Sequence, residues 1–437
     1  MKPININFDS LSSFFLVFFC FFPFVKISIF GTLTDLQIYA FLISIIIICK
    51  NFNKTKFNLS YLFIPPTLLV ILIFFFNFSL EQLTTQAKGA FLLDENITAN
   101  TLTLENLKFL YNYISFPVVF YASYWCIKEK KIAQENNLIF ILILIWFIIA
   151  LIQYKIDSTF LTSLLYNPRG FDAYGRGVGA LAPEPSIYGL MCLLFLILTI
   201  EKKMIISSIL LIIQIFLFSA SATSILLTLM VITIYLFFLV SNKLKILLTI
   251  SLIFCFLNQG IILDFSTKYL NKDLRIHNIL EQYKANLSKS DSLIKIDMES
   301  FDVAIQARFK HIVLPFKKWT ENYAVPNGIF KNEIDRDFYT AFAKKRDLMP
   351  DSENIINFYE MSNTVMSGHS RAAYELGIFF LFYILITYLI FKKYSNKKLF
   401  IQLRLFFSFN LILLMPISYG NPIIGFMLGY FYAKKNY

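Results

Sequence analysis

The chain has 437 residues, of which 57% are apolar and 16% charged, and phenylalanine alone fills 50 positions. That composition excludes an ordinary soluble domain and points to an integral membrane protein. A formal charge of +12 raises the question of a nucleic-acid partner. The Lys and Arg residues, however, fall in short clusters between apolar runs, the pattern that retains loops on the cytoplasmic side, which argues against nucleic acid.

About 20 mostly apolar residues are needed to cross the hydrocarbon core as a helix. On that ruler the chain is an all-α polytopic membrane protein with about twelve transmembrane helices, at 11–30, 33–49, 57–77, 107–127, 137–154, 184–200, 204–218, 222–240, 246–263, 372–391, 399–416 and 419–433. The first run follows Lys2 and lacks a small-residue cleavage site, so it reads as a retained span and not as a removed signal. The uncharged stretch 204–240 is too long for one helix, and Ser219-Ala220-Ser221-Ala222-Thr223-Ser224 is the place for a turn. Basic residues test the count: Lys50, Lys54 and Lys56 follow the second span, Lys128, Lys130 and Lys131 the fourth, Lys202 and Lys203 the sixth, and Lys392 and Lys393 the tenth. Every even-numbered exit is basic, which places both termini in the cytoplasm and the odd connections outside. All five cysteines lie within predicted spans, so disulfides are not expected.

This divides the chain into three parts. Residues 1–263 carry helices one to nine and an outer loop at 155–183; residues 264–371 form one large extracytoplasmic loop; residues 372–437 carry the last three helices. The stretch from Asn167 to Gly189 sets Arg169, Arg176, Asp172, Glu184, three prolines and five glycines among Ile, Leu and Phe. Pro removes a backbone donor and Gly gives up order, so this is a loop at the membrane boundary carrying charge that lipid rejects. Arg169 and Arg176 offer planar donors matched to phosphate oxygens; anchoring the loop by snorkelling is the plainer alternative. Glu184, set between Pro183 and Pro185 at the start of a span, suits a general base or a sugar-binding acid, with capping of its own helix as the alternative.

The large loop holds all three histidines and Trp319. Arg308 and Trp319 precede a second charged group, His369, Arg371 and Glu375, at the start of the tenth span. A spacing of four puts Arg371 and Glu375 on one helix face, where they also suit a simple ion pair, and His369 is suited to shuttling a proton near neutral pH. No phosphate-binding glycine loop, paired-cysteine motif or His-Glu-x-x-His occurs.

In order along the chain, Arg176-Gly177 leading to Glu184-Pro185-Ser186-Ile187-Tyr188-Gly189, a Ser-rich outer turn, a large outer loop with Arg308, Trp319 and Asn327-Gly328, His369 before Glu375-Leu376-Gly377-Ile378, and a terminal Gly420-Asn421-Pro422 resemble the O-antigen polymerase and ligase superfamily of bacterial envelope glycosyltransferases. Ligases of that group carry His-Asn where this chain has His369-Ser370-Arg371, so the polymerase branch is the nearer likeness. The resemblance implies a GT-C-like membrane glycosyltransferase in the bacterial inner membrane. It further implies an undecaprenyl-diphosphate-linked glycan as donor and a second such glycan as acceptor, with the bilayer and a chain-length regulator as partners and no cofactor. On that reading Arg169, Arg176, Arg308 and Arg371 bind diphosphate or glycan, Tyr188, Trp319 and Glu375 line the substrate site, and Glu184 or His369 is the base. No metal is required where arginines neutralise the leaving diphosphate.

Overall fold

The computed structural model describes residues 8–29, 32–51, 63–75, 104–129, 135–165, 177–239, 367–396 and 398–434, with residue 132 and scattered positions between 267 and 326. The described chain is mostly helical. Its helices are α1 (Phe8–Phe21), α2 (Leu36–Asn51), α3 (Phe63–Phe75), α4 (Leu104–Lys128), α5 (Glu135–Lys155), α6 (Pro185–Glu201), α7 (Ile205–Ile213), α8 (Ala222–Leu239), α9 (Gly368–Leu376), α10 (Leu381–Tyr394), α11 (Leu399–Leu413) and α12 (Pro422–Ala433). Each of the eleven predicted apolar segments within the described residues contains a helix; the twelfth, 246–263, lies outside them.

Local chemistry explains where the boundaries differ. The first segment was expected to run to residue 30, but α1 stops at Phe21, just before Pro23. The chain then forms a small antiparallel hairpin, β1 (Lys26–Ile29) with β2 (Thr32–Asp35), in the register Lys26 opposite Asp35 and Ile29 opposite Thr32. This hairpin is a departure from the expected all-α fold. Between α7 and α8 the backbone widens into a π turn over Gln214–Ser219 and ends on Ala220 in the left-handed region at φ 44°, inside the serine-rich stretch.

Two helical segments among the described residues, Glu135–Lys155 and Gly368–Tyr394, are long and apolar enough to cross a bilayer, and eight further apolar helices run 10–17 residues. Among the described residues, many large apolar side chains are exposed and several polar ones are buried. Ile205, Ile206 and Leu72 are 66–73% exposed, whereas Ser44, Ser123, Gln214, Thr228 and Ser408 are fully buried. The axis is α6, whose residues Leu190 to Leu198 are buried on every face, as an apolar-all-round helix must be. Phe21 stacks on Phe195 at 4.5 Å and Trp146 on Tyr188 at 5.5 Å, fixing α1 and α5 against it.

A second axis is the α4–α12 pair. A Cβ added to Gly425 would stand 3.0 Å from Phe116 O, and one on Gly429 would stand 2.6 Å from Phe120 O. Glycine at both positions of this Gly-x-x-x-Gly lets the two backbones touch. Among the described residues Cys20, Cys49 and Cys192 are free thiols, and Cys126 Sγ accepts from Ser13 Oγ at 3.2 Å.

Candidate active site

The approach to α6 is built from braced backbone. Val178 N donates to Phe218 O at 2.8 Å. Gln153 of α5 clamps Ala180 at both ends, accepting from its N–H at 2.7 Å and donating to its carbonyl at 3.0 Å. Ala180 is held at φ 49°, a left-handed conformation that costs a residue with a Cβ about 1–2 kcal/mol. Glu184 then lies extended, Pro185 takes the first helical position, and the Glu184 carboxylate makes no capping bond to the first turn. Its Oε1 accepts from Ser186 Oγ at 2.7 Å. Ser219 Oγ donates to Pro185 O at 2.8 Å and Ser224 Oγ to Ser186 O at 3.1 Å, so the serine-rich turn steadies the bend that presents the acid.

The head of α9 is the second half. Ser367 caps it, accepting from Ser370 N at 3.3 Å, and ties it to α11 by donating to Leu413 O at 3.2 Å. His369 is buried with both ring nitrogens engaged: Nε2 lies 2.8 Å from Asn410 Oδ1 and Nδ1 lies 2.6 Å from the Tyr419 hydroxyl. Asn410 spends its NH₂ on Phe406 O and Thr387 Oγ1, which leaves Oδ1 as the acceptor facing the ring. That network assigns the hydrogen to Nε2 and makes Nδ1 the acceptor of the Tyr419 proton. One turn further, Arg371 Nε donates to Glu375 Oε1 at 2.8 Å, and Tyr113 of α4 donates to Glu375 Oε2 at 2.5 Å. The rings of Tyr113, Tyr383, Tyr419 and Phe116 close around the pair, with Tyr383 and Tyr419 4.7 Å apart.

Just beyond Glu375 the helix breaks. Gly377 adopts φ 58°, ψ −136°, a region open to glycine, and Ile378 N donates to Ala324 O at 2.7 Å in place of a helical bond. Trp319 packs edge-on against Phe380 at 5.4 Å in the same region, so Trp319 and Ala324 are both tied to the break.

The segment 419–421 touches both halves. Tyr419 holds His369, while Asn421 caps α12 by accepting from Ile423 N and lays its amide 3.7 Å from Met191 Sδ on α6. Met191 is seven residues beyond Glu184, on the same helical stripe and about 10 Å along the axis.

The structure therefore brings His369, Arg371 and Glu375 into one cluster, with Trp319 at its edge. Tyr188 is different. It was expected at the substrate, but it is fully buried, stacked on Trp146, with its hydroxyl donating to Gln214 Oε1 at 2.8 Å; it packs the core. Arg169, Arg176 and Arg308 lie outside the described residues. Sequence reasoning missed Tyr113 and Asn410, polar groups in apolar spans with no local motif around them, and Tyr419, which adjoins Gly420-Asn421-Pro422. Among the described residues no three His, Cys, Asp or Glu side chains are grouped to hold a metal ion.

A separate charged cluster occupies the opposite end of α6. Glu201 accepts from Arg404 Nη2 at 2.7 Å, from Tyr235 at 3.1 Å and from Tyr394 at 3.4 Å, and Arg404 lies over the Tyr235 ring. Next to it Glu135 accepts from Lys202 and pairs with Lys434 at 3.5 Å. Comparison with protein-family models, curated proteins and solved structures finds no match for this chain.

Proposed function

We propose that the chain is a multi-pass membrane glycosyltransferase of the O-antigen polymerase type. It joins undecaprenyl-diphosphate-linked repeat units at the periplasmic face of the bacterial inner membrane, with about twelve spans and both termini cytoplasmic. The observation that carries this reading is the convergence of His369, Arg371 and Glu375 on one helix head, bridged through residues 419–421 to the helix that begins at Glu184. Support for the orientation comes from charge: Lys202, Lys434, Lys393 and Arg404 gather around the other end, where positive residues face the cytoplasm.

In this reaction the acceptor sugar hydroxyl attacks the anomeric carbon of the donor. A new C–O bond forms, the bond to the diphosphate oxygen breaks, and undecaprenyl diphosphate leaves with the electron pair. The acceptor proton passes to a carboxylate. Glu184 suits this role, being half-buried and free of capping duty, whereas both nitrogens of His369 are committed to structure. Arg371, with Arg169, Arg176 and Arg308, neutralises the departing diphosphate by bidentate hydrogen bonding. Trp319 suits stacking on a sugar ring, and a chain-length regulator is the proposed protein partner.

Deletion in the native strain tests the reading. Lipopolysaccharide capped with a single repeat is the expected outcome. Core without O-antigen, with polymer kept on the lipid carrier, would make the chain a ligase, and unpolymerised units held on the cytoplasmic face would make it a flippase.

A further inference from the structure

We infer that Tyr113 is a positioning residue for diphosphate binding, setting the Arg371 guanidinium through Glu375. The inference rests on the reading above, in which Arg371 binds the lipid diphosphate. Three side chains are joined in series, Tyr113 to Glu375 to Arg371. Tyr113, 1% exposed, donates to Glu375 Oε2 at 2.5 Å. Glu375, whose side chain is 5% exposed, spends its other oxygen on Arg371 Nε at 2.8 Å, and the Arg371 side chain keeps 13% exposure.

Geometry makes the order of action plain. Nε is the inner nitrogen of the guanidinium, so its bond to Glu375 orients the plane and leaves the terminal nitrogens at the far side. Glu375 itself has χ freedom that Arg371 alone does not remove. The second oxygen is pinned from α4, a helix 262 residues away in sequence, and the Tyr113 ring is wedged between Tyr383 at 5.8 Å and Tyr419 at 6.4 Å. A carboxylate held at both oxygens gives the arginine one orientation, and a preorganised fork binds a diphosphate more tightly than a mobile one. Tyr113 never touches the ligand on this account.

The test uses the full-length protein purified in detergent and inorganic pyrophosphate as the probe, with lipid-linked repeat units for turnover. Tyr113→Phe is expected to weaken pyrophosphate binding about tenfold and to raise KM for the donor by a similar factor, with KM for the acceptor unchanged. Tyr124→Phe, which removes a hydroxyl from the same helix where it packs on Tyr432, is expected to leave both constants in place. Glu375→Gln is expected to match Tyr113→Phe, because it keeps the volume and loses the charged clamp. Wild-type protein that binds no pyrophosphate, or binds it equally well as Arg371→Ala, would overturn the diphosphate reading and this inference with it. Arg371-dependent binding that Tyr113→Phe leaves intact, or a change in donor and acceptor constants together, would overturn the positioning role alone.

Discussion

Arg404 and Glu201 meet at 2.7 Å where the C-terminal end of α6 crosses α11, and the carboxylate is all but sealed, with its side chain 1% exposed. Two tyrosine hydroxyls, from α8 and α10, complete its shell. One acid therefore joins four helices. Breaking such a pair leaves an uncompensated charge in a dry interior, which costs about 3–5 kcal/mol, far more than an exposed ion pair. Arg404→Ala is expected to lower the thermal midpoint of the purified protein sharply and to cut its yield. The double variant Glu201→Gln/Arg404→Met is expected to recover most of the loss, since no unpaired charge remains. Equal midpoints for the wild type and the single variant would show that water reaches the pair.

The α4–α12 contact gives a second stability prediction. Gly429→Ala places a Cβ 2.6 Å from Phe120 O, and a backbone carbonyl cannot swing aside as a flexible side chain would. The helices must separate, at about 1–3 kcal/mol by analogy with overpacked cores. Gly425→Ala meets Val119 Cβ at 2.9 Å and Phe116 O at 3.0 Å, contacts less close than the one at Gly429, and is expected to cost less. Melting curves that rank the two in the opposite order would contradict this packing.

Much of this fold was legible from hydropathy, for a plain reason: helices in an apolar surrounding must satisfy their own backbone, and each long apolar run among the described residues contains a helix. The serine-rich turn was visible as an interruption, but Pro23 was read through as part of a span to residue 30, and the hairpin at 26–35 was missed because a four-residue strand leaves no periodic signal inside an apolar run. At the site, Glu184, His369, Arg371 and Glu375 stood out as charges where their neighbours were apolar. What could not be read was who holds them. Tyr113 and Glu375 are paired by the register of α4 against α9, and Tyr188 carries the same letters as an interface anchor while serving as core, because its position relative to Trp146 exists only after packing.

Glu184 and His369 are distinguished by which property fails. The Glu184 carboxylate accepts from Ser186 Oγ and does not cap its helix. Glu184→Gln is expected to lower kcat by about 10²-fold or more, as loss of a general base does, with the thermal midpoint unchanged. His369→Ala strands the Tyr419 hydroxyl and Asn410 Oδ1 inside the protein, so it is expected to lose stability by about 1–3 kcal/mol for each buried group left unsatisfied. A His369→Ala variant with wild-type stability and no turnover would return the base role to the histidine. Parallel melting and single-turnover measurements on the two variants decide it.

Gln153 sets the geometry of the acid from a distance. Its amide satisfies both backbone groups of Ala180 and a third at Phe160, and Ala180 sits in a left-handed conformation that it would not hold unassisted. Gln153→Leu keeps the volume while leaving the Ala180 N–H and C=O unpaired in a buried position, so relaxation of residues 177–184 becomes favourable. Because Glu184 follows Ala180 by four residues, a small shift there moves its carboxylate away from a reacting hydroxyl, and misplacement by about 1 Å costs on the order of 10²-fold in rate. Gln153→Leu is thus expected to reduce kcat strongly, with α5 and α6 still helical by circular dichroism. Ala180→Gly removes the left-handed penalty, so adding it to Gln153→Leu is expected to restore part of the rate. If the second change adds nothing, strain at Ala180 is not what the glutamine holds in check.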